Sequence, residues 1–357
     1  MGGSVDVLCG AMRAGTVALL GRPNVGKSTF LNACLGERIA ITSHHPQTTR
    51  DRIAGILSDD DAQLVFYDTP GFHRASHRLG ERMNDVASSA AAECDVAIFM
   101  TDGGPRIDEA FKPDPEDVRI LGTIPPKTPT ILVLNKIDRV TPRSLLLPAL
   151  TALSALREFA AVVPVSALKA NGVDRVVKEV KALLPEGDAL FDTEELSDKP
   201  VRFFVAELVR EQILRRTRQE VPHGVAVSVD AFETGPKRSR IAVTVHVAKE
   251  SHKGIIIGDG GAMLKAVGTH ARKRAETLVG HPIHLEIFVR ASPRWFDDPE
   301  RLADLGYTDD AAGARAPRKK AKKKKKKPHT PAPGAPRPRD AKPAPRGEPA
   351  KRAKARS

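Results

Sequence analysis

The eight residues Gly21-Arg22-Pro23-Asn24-Val25-Gly26-Lys27-Ser28 constrain this chain more than any other feature of it. They fit the pattern G-x-x-x-x-G-K-[ST], with a strand-like run before them (16–20) and a helix opening at Lys27 after them, which is the context the pattern requires. Glycines let the backbone turn tightly enough for successive N–H groups to face phosphate oxygens, and the helix N-terminus adds its dipole. Lys27 is then expected to neutralise β- and γ-phosphates and Ser28 to ligate Mg2+, with Arg22, Pro23, Asn24, Val25 and Thr29 completing the loop. Such a loop joins a sheet to a helix, which points to an α/β fold.

The hydrophobic pattern agrees. Strand candidates lie at 16–20, 63–67, 96–100, 130–134 and 162–165. The runs Val96-Ala97-Ile98-Phe99 and Ile131-Leu132-Val133-Leu134 are apolar on both faces, as in parallel strands covered by helices on either side. Aromatic residues make up only 4% of the chain, so its cores must be mostly aliphatic.

The P-loop alone does not choose between adenine and guanine. Asn135-Lys136-Ile137-Asp138, directly after the strand candidate 130–134, does. A carboxylate at Asp138 can accept from both N1–H and the N2 amino group of guanine, and adenine offers neither donor. Asn135 is expected to bridge base and P-loop, the Lys136 stem to cover the ring, and the loop Ser166-Ala167-Leu168 to offer a backbone N–H to guanine O6. Asp68-Thr69-Pro70-Gly71 ends another strand candidate; Asp68 can hold Mg2+ through water and the Gly71 N–H can sense the γ-phosphate. Gln47-Thr48-Thr49-Arg50 supplies a threonine for Mg2+, Thr49 in preference to Thr48. These two loops are expected to be ordered by the γ-phosphate and released on hydrolysis. GTP and GDP are thus the expected ligands, and a Mg2+-dependent GTPase the expected activity. The catalytic group is not legible: Phe72 occupies the position where Ras-like proteins carry a water-orienting glutamine. His44, His45 and His73 lie nearby in sequence and are expected to be solvent-exposed loop histidines rather than bases.

Pro and acidic residues mark 191–200 as a linker between a P-loop GTPase domain (13–190) and a second domain (201–308). There a helix (203–218), two alternating strands (225–232 and 241–247), a Gly-rich loop (255–261), a helix (262–279) and a third strand (282–289) form an α+β pattern. Ile256-Ile257-Gly258-Asp259-Gly260-Gly261 fits the I-G-x-x-G signature of a KH domain, in which a flexible G-x-x-G loop clamps about four unpaired nucleotides. On that reading Gly258, Asp259, Gly260, Gly261, Lys265 and Arg272 contact RNA. Spacing puts Leu264, Val267, Ala271, Ala275 and Leu278 on one buried face of the helix. Trp295 has two readings, stacking on a base or packing against the domain.

From residue 313 to the end there are 18 Lys+Arg against 2 Asp+Glu, while the other 312 residues carry 39 basic and 42 acidic side chains. The net charge of +13 therefore belongs to a tail expected to be disordered, which either attracts RNA through its lysine run (322–327) or only aids solubility. Cys9, Cys34 and Cys94 have no paired or metal-ligand spacing, which suits a reducing cytoplasm. No apolar run approaches the ~20 residues of a membrane span, and no signal peptide or myristoylation pattern is expected at the N-terminus.

On the P-loop, Gln47–Arg50, Asp68–Gly71, Asn135–Asp138, Ser166–Leu168, the KH loop and the segment from Trp295-Phe296-Asp297-Asp298 to Leu305-Gly306-Tyr307, the chain resembles the Era family of GTPases over roughly residues 13–308. The resemblance implies a P-loop GTPase domain followed by a type II KH domain. It also implies a switch in assembly of the small (30S) ribosomal subunit and its precursor, with the KH domain on 16S ribosomal RNA near the 3′ end. A monomer in the cytoplasm, with peripheral association with the inner face of the cell membrane, goes with it. The hydrophobic residue at Phe72 is a family trait, and in related GTPases an asparagine at the position of Asn24 coordinates K+, a second expected ion. Two features depart from the family: Asp259 sets a negative charge where phosphate should come, and the basic tail is not general. Two other roles compete with it: an RNA-binding scaffold with little turnover, opposed by the intact Lys27, Ser28, Asp68 and Asp138, and a membrane-associated regulatory GTPase, which no span or lipid motif supports.

Overall fold

A computed structural model describes residues 12–102, 107–108, 111–218 and 221–308. The basic tail (313–357) and Cys9 lie outside the described residues.

The first lobe is a six-stranded sheet in the order β2-β3-β1-β4-β5-β6. Its strands are β1 (Arg13–Leu20), β2 (Ile53–Ser58), β3 (Ala62–Asp68), β4 (Val96–Asp102), β5 (Thr130–Asn135) and β6 (Ala161–Pro164). All neighbours pair in parallel except β2, which runs antiparallel to β3. The unbroken apolar runs follow from two covered faces. Val17, Leu19, Ile98 and Met100 pack on one side with Phe30 and Leu31 of α1 (Lys27–Leu35) and Val176 and Val180 of α5 (Val173–Leu183). Ala18, Leu20, Ala97 and Phe99 face the opposite layer. It contains α2 (Arg78–Glu93), α3 (Pro115–Leu121) and α4 (Leu146–Ser154), whose Ala87, Ala90, Ile120 and Leu153 are buried there. Strand order reverses beside β1, and the crevice beyond the carboxyl ends of strands at such a point is where open α/β sheets bind ligands.

Strand β2 was absent from the sequence expectation. Gly55 breaks its apolar pattern, and the structure shows why glycine stands there: a Cβ would lie 2.6 Å from Leu31 Cδ1 and 2.9 Å from Leu35 Cδ1. The expected linker is also no free tether. Ile56 N donates to Leu196 O at 3.0 Å, Ala54 N donates to Asp198 Oδ1 at 3.1 Å, and Gln63 Oε1 accepts from the backbone of Leu190 and Phe191. The segment is laid along the free edge of β2, covering donors that an open sheet edge would expose.

The second lobe orders its elements as α6 (Val201–Arg216), β7 (Val225–Glu233), β8 (Ser239–Val247), α7 (Glu250–Ile257), α8 (Ala262–Val279) and β9 (Ile283–Ala291). β8 is central, antiparallel to β7 and parallel to β9. The helices cover one face of this sheet over Val209, Ile213, Val243, Val245, Val267 and Ala271. Two expectations need correction. Residues 255–257 are the last turn of α7 and not loop, and Leu278 is 43% exposed, because the buried stripe of α8 ends at Ala275.

A C-terminal cap with α9 (Pro299–Asp304) closes this lobe. Trp295 is fully buried there; its Nε1–H donates to Gly224 O at 3.0 Å and its ring stacks on Tyr307. Of its two sequence readings, packing holds. The cap meets α2 through Leu79 and Met83, and both lobes belong to one compact unit.

Helix α2 is capped by a histidine: His77 Nδ1 accepts from Gly80 N at 3.0 Å, with its ring against Phe296. Burial is the main cause that pushes the His77 pKa below 6.5; Arg50, His73 and His223 act in the same direction and Asp297 opposes them. A lowered histidine pKa means the unfolded chain takes its proton first as pH falls. His77 should therefore contribute full stability above pH 6.5 and lose it progressively below. His77→Asn keeps an acceptor that cannot titrate, so its thermal midpoint between pH 7 and 5 should fall less than that of the parent; parallel curves would refute this.

Candidate functional site

The carboxyl ends of β1, β3, β5 and β6 deliver four loops to one cavity of about 560 Å3. Between β1 and α1 the backbone takes left-handed conformations at Asn24 (φ 63) and Gly26 (φ 106), and no side chain caps α1. Its first N–H groups are left for an anion. Gly71 approaches the loop so closely that a Cβ would fall 2.6 Å from Pro23 N. Lys27 is buried, its amine donating to Gly21 O and Arg22 O, both at 3.0 Å. Burial lowers its pKa to about 8, against the pull of Asp68.

Three oxygens converge beside Lys27. Asp68 Oδ2 accepts from Ser28 Oγ at 2.6 Å and from Thr49 Oγ1 at 3.1 Å, and the two hydroxyls are 3.0 Å apart. Asp68 Oδ1 is buried with no hydrogen-bond partner among the described residues, and burial raises the carboxyl's pKa. An orphaned carboxylate oxygen beside two hydroxyls is a donor set suited to a hard dication such as Mg2+. The Thr48 hydroxyl is turned elsewhere, to Ser43 Oγ (2.6 Å) and His45 O (2.7 Å).

At the other end of the cavity Asn135 Nδ2 donates to Val25 O (2.8 Å) while its Oδ1 accepts from Ala167 N (2.9 Å), locking P-loop, β5 and the 166–168 loop together. Asp138 Oδ1 accepts from Ser166 Oγ at 2.6 Å, which holds the Asp138 carboxyl below the ordinary range and fixes its orientation. Lys136 takes a left-handed conformation (φ 60), and its amine reaches Asn24 O at 2.6 Å. Leu168 is 76% exposed at the rim.

Not every residue expected at the nucleotide lines the cavity. Arg22 turns its guanidinium away to Asp117 (2.8 Å), Asp102 (3.0 Å) and Asp114 (3.3 Å), and Val25 is buried in the core, so both can serve a phosphate only through backbone N–H groups. Phe72 is buried in the core layer beneath α2 and brings no polar group to the cavity. His44 and His45 line the cavity; His44 is exposed and His45 half-buried. His73 departs from the expected exposed loop: its Nδ1 faces Gly71 O at 3.1 Å, Asn84 grips its backbone, and its Nε2 is buried without a partner among the described residues. Six lining residues escaped sequence reasoning: Ile41, Thr42, Ser43 and Arg139 of the first lobe, and Leu214 and Arg215 from α6 of the second.

The contact between lobes runs through the segments that bear on the cavity. Arg50, next to Thr49, is buried and donates to the carbonyls of Val225, His223 (3.0 Å) and Pro222 (3.3 Å), with its guanidinium 5.5 Å from the Trp295 ring centroid. Arg82 of α2 donates to Thr308 O (2.8 Å) and Asp51 Oδ1 (3.2 Å) and lies over Tyr307. Arg210 of α6 returns a hydrogen bond to Thr48 O. Arg82 and Arg210 belong to no motif, and Arg50 ends the motif Gln47–Arg50 without a role being read for it there.

In the second lobe Gly258 (φ 71), Gly260 (φ 56) and Gly261 (φ 80) all have positive φ, which L side chains rarely adopt, and a Cβ at Gly258 would meet Met263 Cβ at 2.6 Å. No side chain caps α8; the N–H of its first residue, Ala262, donates to Asp259 O. A groove of about 380 Å3 runs from Gly261 between α8 and β9, lined by Leu264, Lys265, Thr269, Arg272, His284 and Ile287. Lys265, Arg272 and Asp259 are exposed. Apolar floor and basic rim suit an unpaired strand whose bases lie inward and phosphates outward.

A phosphate loop, two loops that share a metal-type donor set and a guanine-reading loop, with a KH lobe behind them, define a P-loop GTPase fused to an RNA-binding module. The family described as 50S ribosome-binding GTPase matches residues 16–136, and the family described as KH domain matches residues 220–296. The GTPase Era of Trichlorobacter lovleyi is 44% identical over 298 residues, covering 83% of this chain and 98% of that protein. A crystal structure of an Aquifex aeolicus Era variant bound to GDP and AlF4− is 38% identical with a TM-score of 0.79, covering 83% of this chain and all of its own. A second Era structure, in complex with MgGDPNP and nucleotides 1506–1542 of 16S ribosomal RNA, matches with a TM-score of 0.78 at the same identity and coverage of this chain. The chain belongs to the Era family of GTPases, and its activity is hydrolysis of GTP.

Proposed function

We propose that this GTPase grips small-subunit ribosomal RNA near its 3′ end through the α8–β9 groove and releases or repositions it according to the nucleotide bound, as a switch in 30S assembly. The observation that carries this is the adjacency of Thr49 and Arg50. Thr49 Oγ1 stands with Ser28 and Asp68, and Arg50 is driven into carbonyls of the KH lobe. A segment that Mg2+ and the γ-phosphate would order is thereby anchored in the RNA-binding lobe. An Era relative holds both MgGDPNP and a 16S fragment in one structure, which supports carrying both ligands to this chain.

In the site so assigned, Lys27 and the P-loop N–H groups bind phosphate oxygens, Ser28 and Thr49 ligate Mg2+ with Asp68 behind them, and the Gly71 N–H reads the γ-phosphate. Asp138 selects guanine and Asn135 ties base loop to phosphate loop. Bound Mg2+ supplies positive charge between β- and γ-phosphates. Phe72 offers no group to the attacking water, so turnover is slow and suited to timing. Among the described residues no helix is long and apolar enough to cross a membrane.

Crosslinking of the full chain to RNA, with a GTP analogue and with GDP, tests the proposal. Crosslinks should map near the 3′ end of small-subunit ribosomal RNA and differ between the two nucleotides; footprints that avoid that RNA would reject it. K+ is part of the same reading. Asn24 Nδ2 donates to His44 O at 3.0 Å, joining P-loop to the Thr49 loop, while its side-chain oxygen has no partner among the described residues. Hydrolysis should run at least severalfold faster in K+ than in Na+ at equal ionic strength, and equal rates would remove K+ from the account.

A further inference from the structure

We propose that Asp102, the last residue of β4, is a positioning residue for the guanine base: it holds the Lys136 side chain in place as the lid over the ring. This rests on the GTP-site reading and adds to it a residue that lies outside the nucleotide-binding motifs.

Asp102 stands between the two loops that a nucleotide joins. Its Oδ2 lies 3.2 Å from Lys136 Nζ and its Oδ1 lies 3.0 Å from Arg22 Nη2. The register of the sheet puts it there: Asp102 pairs with Asn135 at the ends of β4 and β5, so its side chain emerges beside the turn that carries Lys136. Lys136 is held in a left-handed backbone conformation, and its amine has two partners, Asn24 O and Asp102. A lysine stem is long and flexible, and lies flat over a ring only if its head is tied at a fixed point. The Asn24 carbonyl ties it to the P-loop, and Asp102 supplies the one carboxylate among the described residues that offsets its charge in a half-buried position.

Arg22 is held differently. Its Nε donates to the nearly fully buried Asp117 at 2.8 Å, its Nη1 lies 3.3 Å from Asp114, and Thr101 braces Asp117 at 2.7 Å. Among the described residues, loss of Asp102 leaves Arg22 two carboxylates and leaves Lys136 none. The two ends of Asp102 are therefore unequal, and its removal should be felt at the base and not at the phosphates.

That asymmetry gives the test. Affinities for GDP and for inorganic pyrophosphate, which occupies the phosphate loop without a base, are measured on the full chain and on Asp102→Ala, Asp102→Asn, Lys136→Ala and the double variant Asp102→Ala/Lys136→Ala. Binding of GDP by the parent, abolished by Lys27→Ala, establishes the site independently. Asp102→Ala should weaken GDP roughly tenfold, the scale of one charge-assisted hydrogen bond, with pyrophosphate affinity unchanged. Asp102→Asn, which retains one acceptor, should recover part of the loss. In the Lys136→Ala background Asp102→Ala should cost less than twofold, as residues acting through one another require. A parallel loss of GDP and pyrophosphate affinity, or a tenfold loss that persists without Lys136, would overturn the proposal, since either places the action of Asp102 on the P-loop or on the fold at large.

Discussion

Arg50→Ala should destabilise the protein by about 3 kcal/mol or more while leaving GDP affinity within about twofold of the parent. The guanidinium is fully buried and no carboxylate among the described residues pairs with it; three backbone carbonyls, the Trp295 face and Tyr307 receive it instead. Burial is the main cause that lowers its pKa and Arg210 adds to this, with Tyr307 and Glu207 opposing; even so the group stays charged, as arginine does in proteins. Truncation strands those carbonyls in a dry interface and opens a cavity beneath Trp295, and each buried acceptor left unmatched costs about 1–3 kcal/mol. Arg50→Lys keeps the charge but cannot serve three acceptors in a plane, so it should fall between. The nucleotide is spared because the side chain points away from the cavity that Thr49 lines. Calorimetry should show the melt shifted down or split in two as the lobes part, and proteolysis within residues 185–200 should quicken. An unchanged melt would mean that the Leu79–Met83–Trp295 cluster and the Arg82 and Arg210 contacts join the lobes without help from Arg50.

That interface marks the limit of what the sequence made legible. The nucleotide site was readable because its chemistry is local: four short motifs sit at strand ends, and strands that are apolar on both faces have few alternatives to a parallel sheet. The order of Ser28, Thr49 and Asp68 around one point needed only the choice of Thr49, and the structure turns the Thr48 hydroxyl to Ser43 and His45. Strand β2 and helix α7 were missed for a common reason. Gly55 and Gly254 lower local propensity, and tertiary contact overrides that signal: close approach of α1 at Gly55, and burial of Ile256 on the KH core at α7. Arg50, Arg82 and Asp102 are charged residues whose expected place is solvent, and nothing in spacing or composition distinguishes a buried arginine from an exposed one. Trp295 carried two readings because an aromatic residue near a basic rim fits either, until Gly224 O and Tyr307 are seen to hold it.

Asp138→Asn should reduce GDP affinity by a factor on the order of 10³ to 10⁴ and make xanthosine diphosphate the better ligand. Asp138 is oriented by Ser166 Oγ at 2.6 Å, and its carboxyl titrates below the ordinary range chiefly because of that hydrogen bond, so at neutral pH it presents an ionised, acceptor-only edge to the base. Guanine brings two donors, N1–H and the N2 amino group, which that edge matches. An amide presents one acceptor and one donor; against guanine its N–H₂ meets the N2 amino group donor to donor, while against xanthine it meets the C2 carbonyl oxygen. The penalty on guanine is the full cost of two groups left unpaired in a site closed by Lys136 and Leu168, which is larger than the gain of a single added bond. Ser166→Ala should act in the same direction but weakly, raising the carboxyl's pKa toward the ordinary range and loosening its orientation without removing an acceptor. Competition of GDP against xanthosine diphosphate at pH 7.5 on the parent and both variants separates these effects. If Asp138→Asn retained its preference for GDP, guanine choice would have to lie elsewhere in the cavity, with the Ala167 N–H committed to Asn135 Oδ1 and Leu168 left to offer a backbone donor to O6.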